Sequence, residues 1–219
     1  MSKYNSKTIT SFQNGVHENL LKYIQRYSLT NYQRPARDFS INNIEKIKNW
    51  LKDDSFILDL CCGIGESSYQ LASRYPERKI LGVDKSISRI ARKNNFKVEN
   101  SNILLVQDDM FDLIPLLYKE LRSQVIEVHI YYPNPWPKNT HLKRRIHANP
   151  VAPFLFALTS SFILRSNWNI YLEEFAFSAN YFLDKESKVE KIEVIKNFIT
   201  PFEKKYALSG QQIYELKIG

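Results

Sequence analysis

Short apolar runs that stop abruptly in small or acidic residues alternate along this chain with stretches whose apolar positions recur every three or four residues. The first run, Phe56-Ile57-Leu58-Asp59-Leu60, passes through Cys61, Cys62, Gly63 and Gly65 into a helical pattern over Glu66–Arg74. Runs of this length are too short for helices and predict buried strands. A second run at 79–83 ends in Asp84, a third at 102–107 ends in Asp108 and Asp109, and a fourth at 125–132 ends in Pro133 and Asn134. Twenty-five residues separate Asp59 from Asp84, Asp84 from Asp109, and Asp109 from Asn134. One strand, loop and helix occupy about that length. Polar side chains therefore recur at one end of successive parallel strands, where open α/β sheets bind ligands.

Ahead of the first strand, residues 17–27 place Leu20, Leu21, Ile24 and Tyr27 on one helical face. Residues 41–51 do the same with Ile41, Ile44, Ile47 and Leu51, and Ser40 is the expected N-cap. Residues 1–13, rich in Ser, Thr, Asn and Lys, read as a mobile arm, and 31–39, with Arg34, Pro35 and Arg37, as a loop. Residues 1–50 are thus expected to form an arm and helical cover, and 51–219 an α/β domain.

The glycine turn at Gly63 and Gly65 lets the backbone approach a ligand, and the helix start behind it offers free N–H groups. A dinucleotide fold wants G-x-G-x-x-G, which Gly63-x-Gly65-x-x-Ser68 meets only in part. Acidic residues after the first two strands, Asp59 and Asp84, suit an S-adenosylmethionine fold better.

Composition narrows the partners. The chain has 219 residues, 43% of them hydrophobic, and a net charge of +8, which suits an anionic partner such as nucleic acid. No apolar run is long enough to span a membrane, and no signal-peptide core is present, so no membrane partner is expected. The only cysteines, Cys61 and Cys62, are adjacent and cannot staple distant segments, which fits a reducing cytoplasm. The four histidines form no ligand cluster, so no metal is expected. The oligomeric state is not fixed by the sequence, a monomer being the expectation.

The most specific stretch is Tyr131-Tyr132-Pro133-Asn134-Pro135-Trp136-Pro137-Lys138, followed by His141-Leu142-Lys143-Arg144-Arg145. Its prolines exclude helix and strand and predict a rigid loop at the mouth of the site. Lys143, Arg144 and Arg145 are the densest basic cluster there and the expected contacts to nucleic-acid phosphates.

With Thr200-Pro201-Phe202-Glu203-Lys204-Lys205 and Gly210-x-x-Ile213-Tyr214-x-Leu216, this loop resembles the bacterial tRNA (guanine-N7-)-methyltransferases. That family shows a Pro-Asp-Pro-Trp loop, a Lys-Arg-Arg run and a late Thr-x-Phe-Glu motif, in this order. The resemblance runs from about Phe56 onward. It implies a Rossmann-like class I methyltransferase sheet, mostly parallel with an antiparallel last strand and helices on both faces. It also implies S-adenosylmethionine held by Asp59, Gly63, Gly65, Asp84, Asp109 and Asn134, with Asn134 catalytic. The tRNA would meet Lys138, His141, Arg144, Glu174, Thr200 and Glu203.

Three positions depart from the family pattern. Cys61 replaces the first glycine of the turn, Glu174 stands nearest to a late aspartate, and Asn134 replaces the loop aspartate. The last keeps shape and loses charge. Two alternatives follow from it: a tRNA-binding homologue with weakened turnover, or a methyltransferase for another base. Asn-Pro-Pro-Tyr enzymes act on exocyclic amines, but here Trp136 interrupts that order.

Overall fold

The computed structural model describes residues 4–30, 32, 34–92 and 102–219. Seven strands form one sheet: β1 (Phe56–Leu60), β2 (Lys79–Asp84), β3 (Ile103–Gln107), β4 (Val125–Tyr131), β5 (Phe162–Ser166), β6 (Val189–Ile192) and β7 (Ile213–Ile218). Their order is β3-β2-β1-β4-β5-β7-β6. The first five run parallel, and β7 lies antiparallel between β5 and β6. The mostly parallel sheet with an antiparallel last strand is as the resemblance implies.

The helices are α1 (Leu20–Leu29), α2 (Asp38–Leu51), α3 (Glu66–Arg74), α4 (Ile87–Ile90), α5 (Met110–Leu121), α6 (Ala152–Leu158), α7 (Asn169–Leu183) and α8 (Pro201–Leu208). All five residues of β1 are buried, because both sheet faces are covered. Phe56, Leu58 and Leu60 face α2, α5, α6 and α7 in the large core. Ile57 points the other way, toward Leu71 and Ala72 of α3 and Ile199 ahead of α8. Gly82 on β2 permits close approach there: a Cβ would sit 2.5 Å from both a Leu105 methyl and the Ser68 hydroxyl.

Three N-terminal expectations change. The first helix begins at Leu20 rather than His17 and buries Leu20 and Ile24 against Leu142 and Ala148. The second begins at Asp38, so Ser40 is not its cap. Ser40 lies inside α2 and donates its hydroxyl to Asp108 Oδ1 at 2.8 Å. Residues 4–16 have no helix or strand, yet they are laid against the body. Ser6 N donates to Ser209 Oγ, Ser11 Oγ to the Pro137 carbonyl, and Gln13 Nε2 to Glu174 Oε1. Residues 1–3 of the expected arm, and Asn31 and Gln33 of the expected loop, lie outside the described residues.

Candidate active site

β1 ends in a turn with three left-handed residues: Cys61 at φ 63°, Gly63 at φ 62° and Gly65 at φ 89°. Gly65 then starts α3. A Cβ on Gly63 would meet nothing within 4 Å, so this edge of the turn is bare. Gly63 N donates to Asp84 Oδ2 at 3.0 Å, and Ser86 N to Asp84 Oδ1 at 2.8 Å. The last residue of β2 therefore fixes the turn while lining the cleft beside it. Cys61 is a left-handed non-glycine residue whose thiol meets Met110 Sδ at 3.7 Å. Burial, then Asp84 and Asp59, push this thiol up to about 12, so it stays protonated.

Asp59 is placed differently from the sequence expectation. It lies within β1, is 0% exposed, and accepts from Ser67 Oγ at 2.6 Å and Ser68 Oγ at 2.7 Å. It does not line the cleft. Its carboxylate secures the first turn of α3 from beneath, and burial raises its pKa. Of the neighbouring aspartates, Asp109 caps α5 by accepting from Phe111 N at 3.0 Å. Asp108 is buried and held by Ser40, Asn43 and Arg37. Both line the cleft.

The cleft has a volume of about 650 Å³ and runs from Cys61, Asp84 and Asp109 to the loop after β4. Tyr132 and Trp136 bracket Pro133-Asn134-Pro135 and both take left-handed backbone, at φ 52° and φ 47°. Such strain persists only where the surroundings enforce it. Tyr132 N donates to the Arg165 carbonyl, and its hydroxyl to Glu203 Oε1 at 2.9 Å. The Trp136 carbonyl accepts from the Arg145 guanidinium at 3.1 Å. Asn134 is exposed at the mouth, and its side-chain oxygen accepts from Trp136 N at 3.3 Å.

Two aromatic walls face this mouth. Trp136 forms one, with the Arg144 guanidinium 4.6 Å from its ring centre and the His141 ring edge-on at 5.4 Å. Tyr132, Tyr206 and Phe202 form the other, Phe202 and Tyr206 being stacked at 6.2 Å. Sequence reasoning missed Tyr132, Phe202 and Tyr206 as cleft residues; the aromatic spacing of α8 was the available signal.

The substrate residues expected from the sequence divide into two groups. Lys138 and Arg144 are exposed and His141 is partly so; Arg144 lines the cleft and His141 meets Trp136. Thr200, Glu203 and Glu174 are buried. Thr200 caps α8, accepting from Glu203 N at 3.0 Å, and Glu203 accepts from Ile199 N and pairs with Arg165 at 3.1 Å. Glu174, 0% exposed, pairs with Arg145 at 2.5 Å and His147 at 2.9 Å. Neither carboxylate is free to meet a substrate; each holds the framework around the loop.

Arg145 is the larger correction. It is 0% exposed, bonded to Glu174, Gln13 and the Trp136 carbonyl, with its guanidinium 4.9 Å from the Trp168 ring centre. It cannot reach a phosphate. Burial pushes His147 down toward its neutral form. Glu174, despite burial, is held to about 2 by His147 and Arg145.

Comparison with known proteins decides the family. A family model described as "Putative methyltransferase" matches residues 53–216. A tRNA (guanine-N(7)-)-methyltransferase of Neorickettsia sennetsu is 33% identical over 162 residues, covering 70% of this chain and 69% of that protein. The chain belongs to the tRNA (guanine-N7-)-methyltransferase family. A second relative of that name, from Buchnera aphidicola, is 27% identical over 195 residues, covering 82% of this chain and 78% of that protein. Among solved structures, a 16S rRNA (adenine(1408)-N(1))-methyltransferase from Catenulisporales acidiphilia matches with a TM-score of 0.54 and 16% identity, over 80% of this chain and 89% of that one. An antibiotic-related methyltransferase matches at 0.53 and 15%, over 85% and 95%. These two show the fold.

S-adenosylmethionine is the cofactor of this methyltransferase family. The residues present fit it. The bare edge of Gly63 admits close backbone approach, and Asp84 beside it is a carboxylate that would accept from ribose hydroxyls. Val83, Met110 and Phe111 line the cleft with apolar surface that would suit a base, and Asp109 adds a carboxylate to the same lining. Among the described residues, no group of three or more His, Cys, Asp or Glu could hold a metal ion, and no helix is long and apolar enough to cross a membrane.

Proposed function

We propose that this chain transfers a methyl group from S-adenosylmethionine to N7 of guanine in tRNA, at guanosine 46 of the variable loop, in the cytoplasm. The supporting observation is the continuity of the cleft, in which Cys61 of the turn and Asp84 open into the same space as Asn134, Trp136 and the exposed Lys143 and Arg144. When bound, the cofactor supplies a methyl group on a positively charged sulfur. Guanine N7 has a lone pair and no proton, so no residue need act as a base. The chain's task is alignment and electrostatics.

Asn134 offers a base edge an amide NH₂ group and the remaining lone pair of the oxygen that accepts from Trp136 N. The aromatic walls offer faces for an unstacked base, the usual mode for single-stranded RNA. Methylation leaves the guanine cationic. With Glu174, Glu203 and Asp108 in ion pairs and Asp84 beside Arg89, the negative field in the cleft wall comes chiefly from Asp109. Lys143 and Arg144, exposed at the rim, would meet phosphates.

The test is incubation with methyl-labelled S-adenosylmethionine and unmodified tRNA, then ribonuclease fragmentation to locate the label along the chain and digestion of the labelled fragment to nucleosides. Label in 7-methylguanosine at position 46 is expected; label in another base overturns the assignment. Asn134, uncharged where the family has aspartate, favours a second reading, a tRNA-binding protein with little turnover. In that case the tRNA binds and no label transfers.

A further inference from the structure

α1 lies outside residues 53–216, the part of the chain the family model covers. Its sequence, LLKYIQRYSL, contains no acid. From Met1 to Arg37 there is one acidic residue, Glu18, against six lysines and arginines. Its inner face is explained by packing: Leu20 and Ile24 are fully buried against Leu142 and Ala148. Its outer face is not. Lys22 and Arg26 are exposed one turn apart, and neither forms an ion pair among the described residues. Arg26 gains from the helix dipole in the last turn, but Lys22 does not.

The outer face is joined to the cleft. Lys143, on the cleft rim, sits 4.8 Å from the centre of the Tyr23 ring, and Tyr23 stacks on Tyr27 at 6.1 Å with 14° between planes. Arg144, next in sequence, lies over Trp136. Unpaired cations interleaved with aromatic faces therefore run from the Trp136 loop across Lys143 and along α1. This pattern differs from the opposite end of the sheet. There Lys48 pairs with Glu45 and Glu120, and Lys119 with Glu120. Ten residues of helix extend the basic footprint by about 15 Å. That is the reach of several phosphates along an RNA strand.

We propose that the Lys22–Arg26 face of α1 is a second RNA-backbone surface, which seats the body of the tRNA while the cleft takes the target base. The proposal rests on the tRNA reading above. Cations on a helix face with aromatic neighbours suit a phosphate backbone, because each neutralised phosphate releases counterions.

The experiment compares wild type with Lys22→Gln/Arg26→Gln and with Lys48→Gln/Lys119→Gln, which removes the same charge at the far end of the sheet. Unmodified tRNA binding is measured from 50 to 300 mM salt. Melting temperature and cofactor affinity serve as fold controls. The α1 pair is expected to lower the salt slope by about two and the affinity by roughly tenfold or more, with the fold controls unchanged. The far pair should leave the slope as in wild type. Equal effects from both pairs, or an α1 pair that binds and methylates tRNA as wild type does, overturn the α1 surface and leave the functional reading standing. A wild-type protein that neither binds nor methylates tRNA overturns both.

Discussion

Arg145→Met separates the buried framework from the RNA surface. The guanidinium has four polar contacts: Glu174 Oε2 at 2.5 Å, Gln13 Oε1 at 3.1 Å, and the Trp136 carbonyl at 3.1 and 3.3 Å from two of its nitrogens. Methionine fills much of the volume but leaves Glu174 buried without a fixed positive partner. Removing one member of a buried pair typically costs about 3–5 kcal/mol. Three donors stay on the carboxylate, from His147, Gln13 and His17 N, which puts the expected loss near the lower end, about 3 kcal/mol. For a chain of this size that lowers the melting temperature by roughly 6–12 °C.

The pH dependence has a defined sign. The Glu174 carboxyl is held at about 2 in the folded protein, against an ordinary value of 4.5. A depressed acid stabilises above its unfolded pKa, so the gap between wild type and variant is full near neutrality. It closes as pH falls from about 5 toward 2. Thermal melts across pH, with tRNA binding across salt, make the assay. An unchanged melting temperature together with a salt slope reduced by one would refute the argument, because that is the signature of a surface phosphate contact.

Asp84→Ala removes the acceptor for Gly63 N and the proposed ribose contact, so calorimetry should show cofactor affinity lower by about ten- to a hundredfold, at roughly 1.5–3 kcal/mol per charged hydrogen bond. Asn134→Asp should raise the single-turnover rate of methyl transfer by placing an anion near the developing guanine cation, whereas Asn134→Ala should nearly abolish it. A fast Asn134 protein whose Asp variant is as inactive as its Ala variant would remove guanine N7 as the target. Phe202→Ala, which leaves the Thr200–Glu203 cap intact, should weaken tRNA binding in the cleft by about 1–3 kcal/mol without changing cofactor affinity. Equal loss of both would mean that the wall merely supports the fold.

The strand ends at Asp84 and Asp109 and the loop around Asn134 were legible because apolar runs closed by polar residues are local signals. The same series misled at Asp59, which shares the spacing but turns under the sheet to Ser67 and Ser68. Spacing gives register along the chain, not the face a side chain takes. Arg145 was illegible for a related reason. In a Lys-Arg-Arg run each cation looks alike, and only a carboxylate 29 residues away, Glu174, draws one of them inward. Thr200 and Glu203 show a motif with two physical meanings, since the spacing that resembles a substrate-binding signature is also that of a helix cap.

The position of β7 bears on how the protein is made. β6 has one neighbour in the sheet, and that neighbour is β7, which also covers the outer edge of β5. A ribosome delivers Val189–Ile192 before its pairing strand exists, leaving β5 as an open edge. The N-terminal segment waits longer still, because Gln211 donates to the carbonyl of Ser6, 205 residues earlier. At typical synthesis rates that interval is roughly 10–40 s. The outer aromatic wall of the cleft, on α8, also emerges late. A nascent chain stalled before Ile213 would present an unpaired strand edge suited to aggregation and lack the support that β7 gives α8. Completion of the sheet and completion of the cleft are therefore one late event.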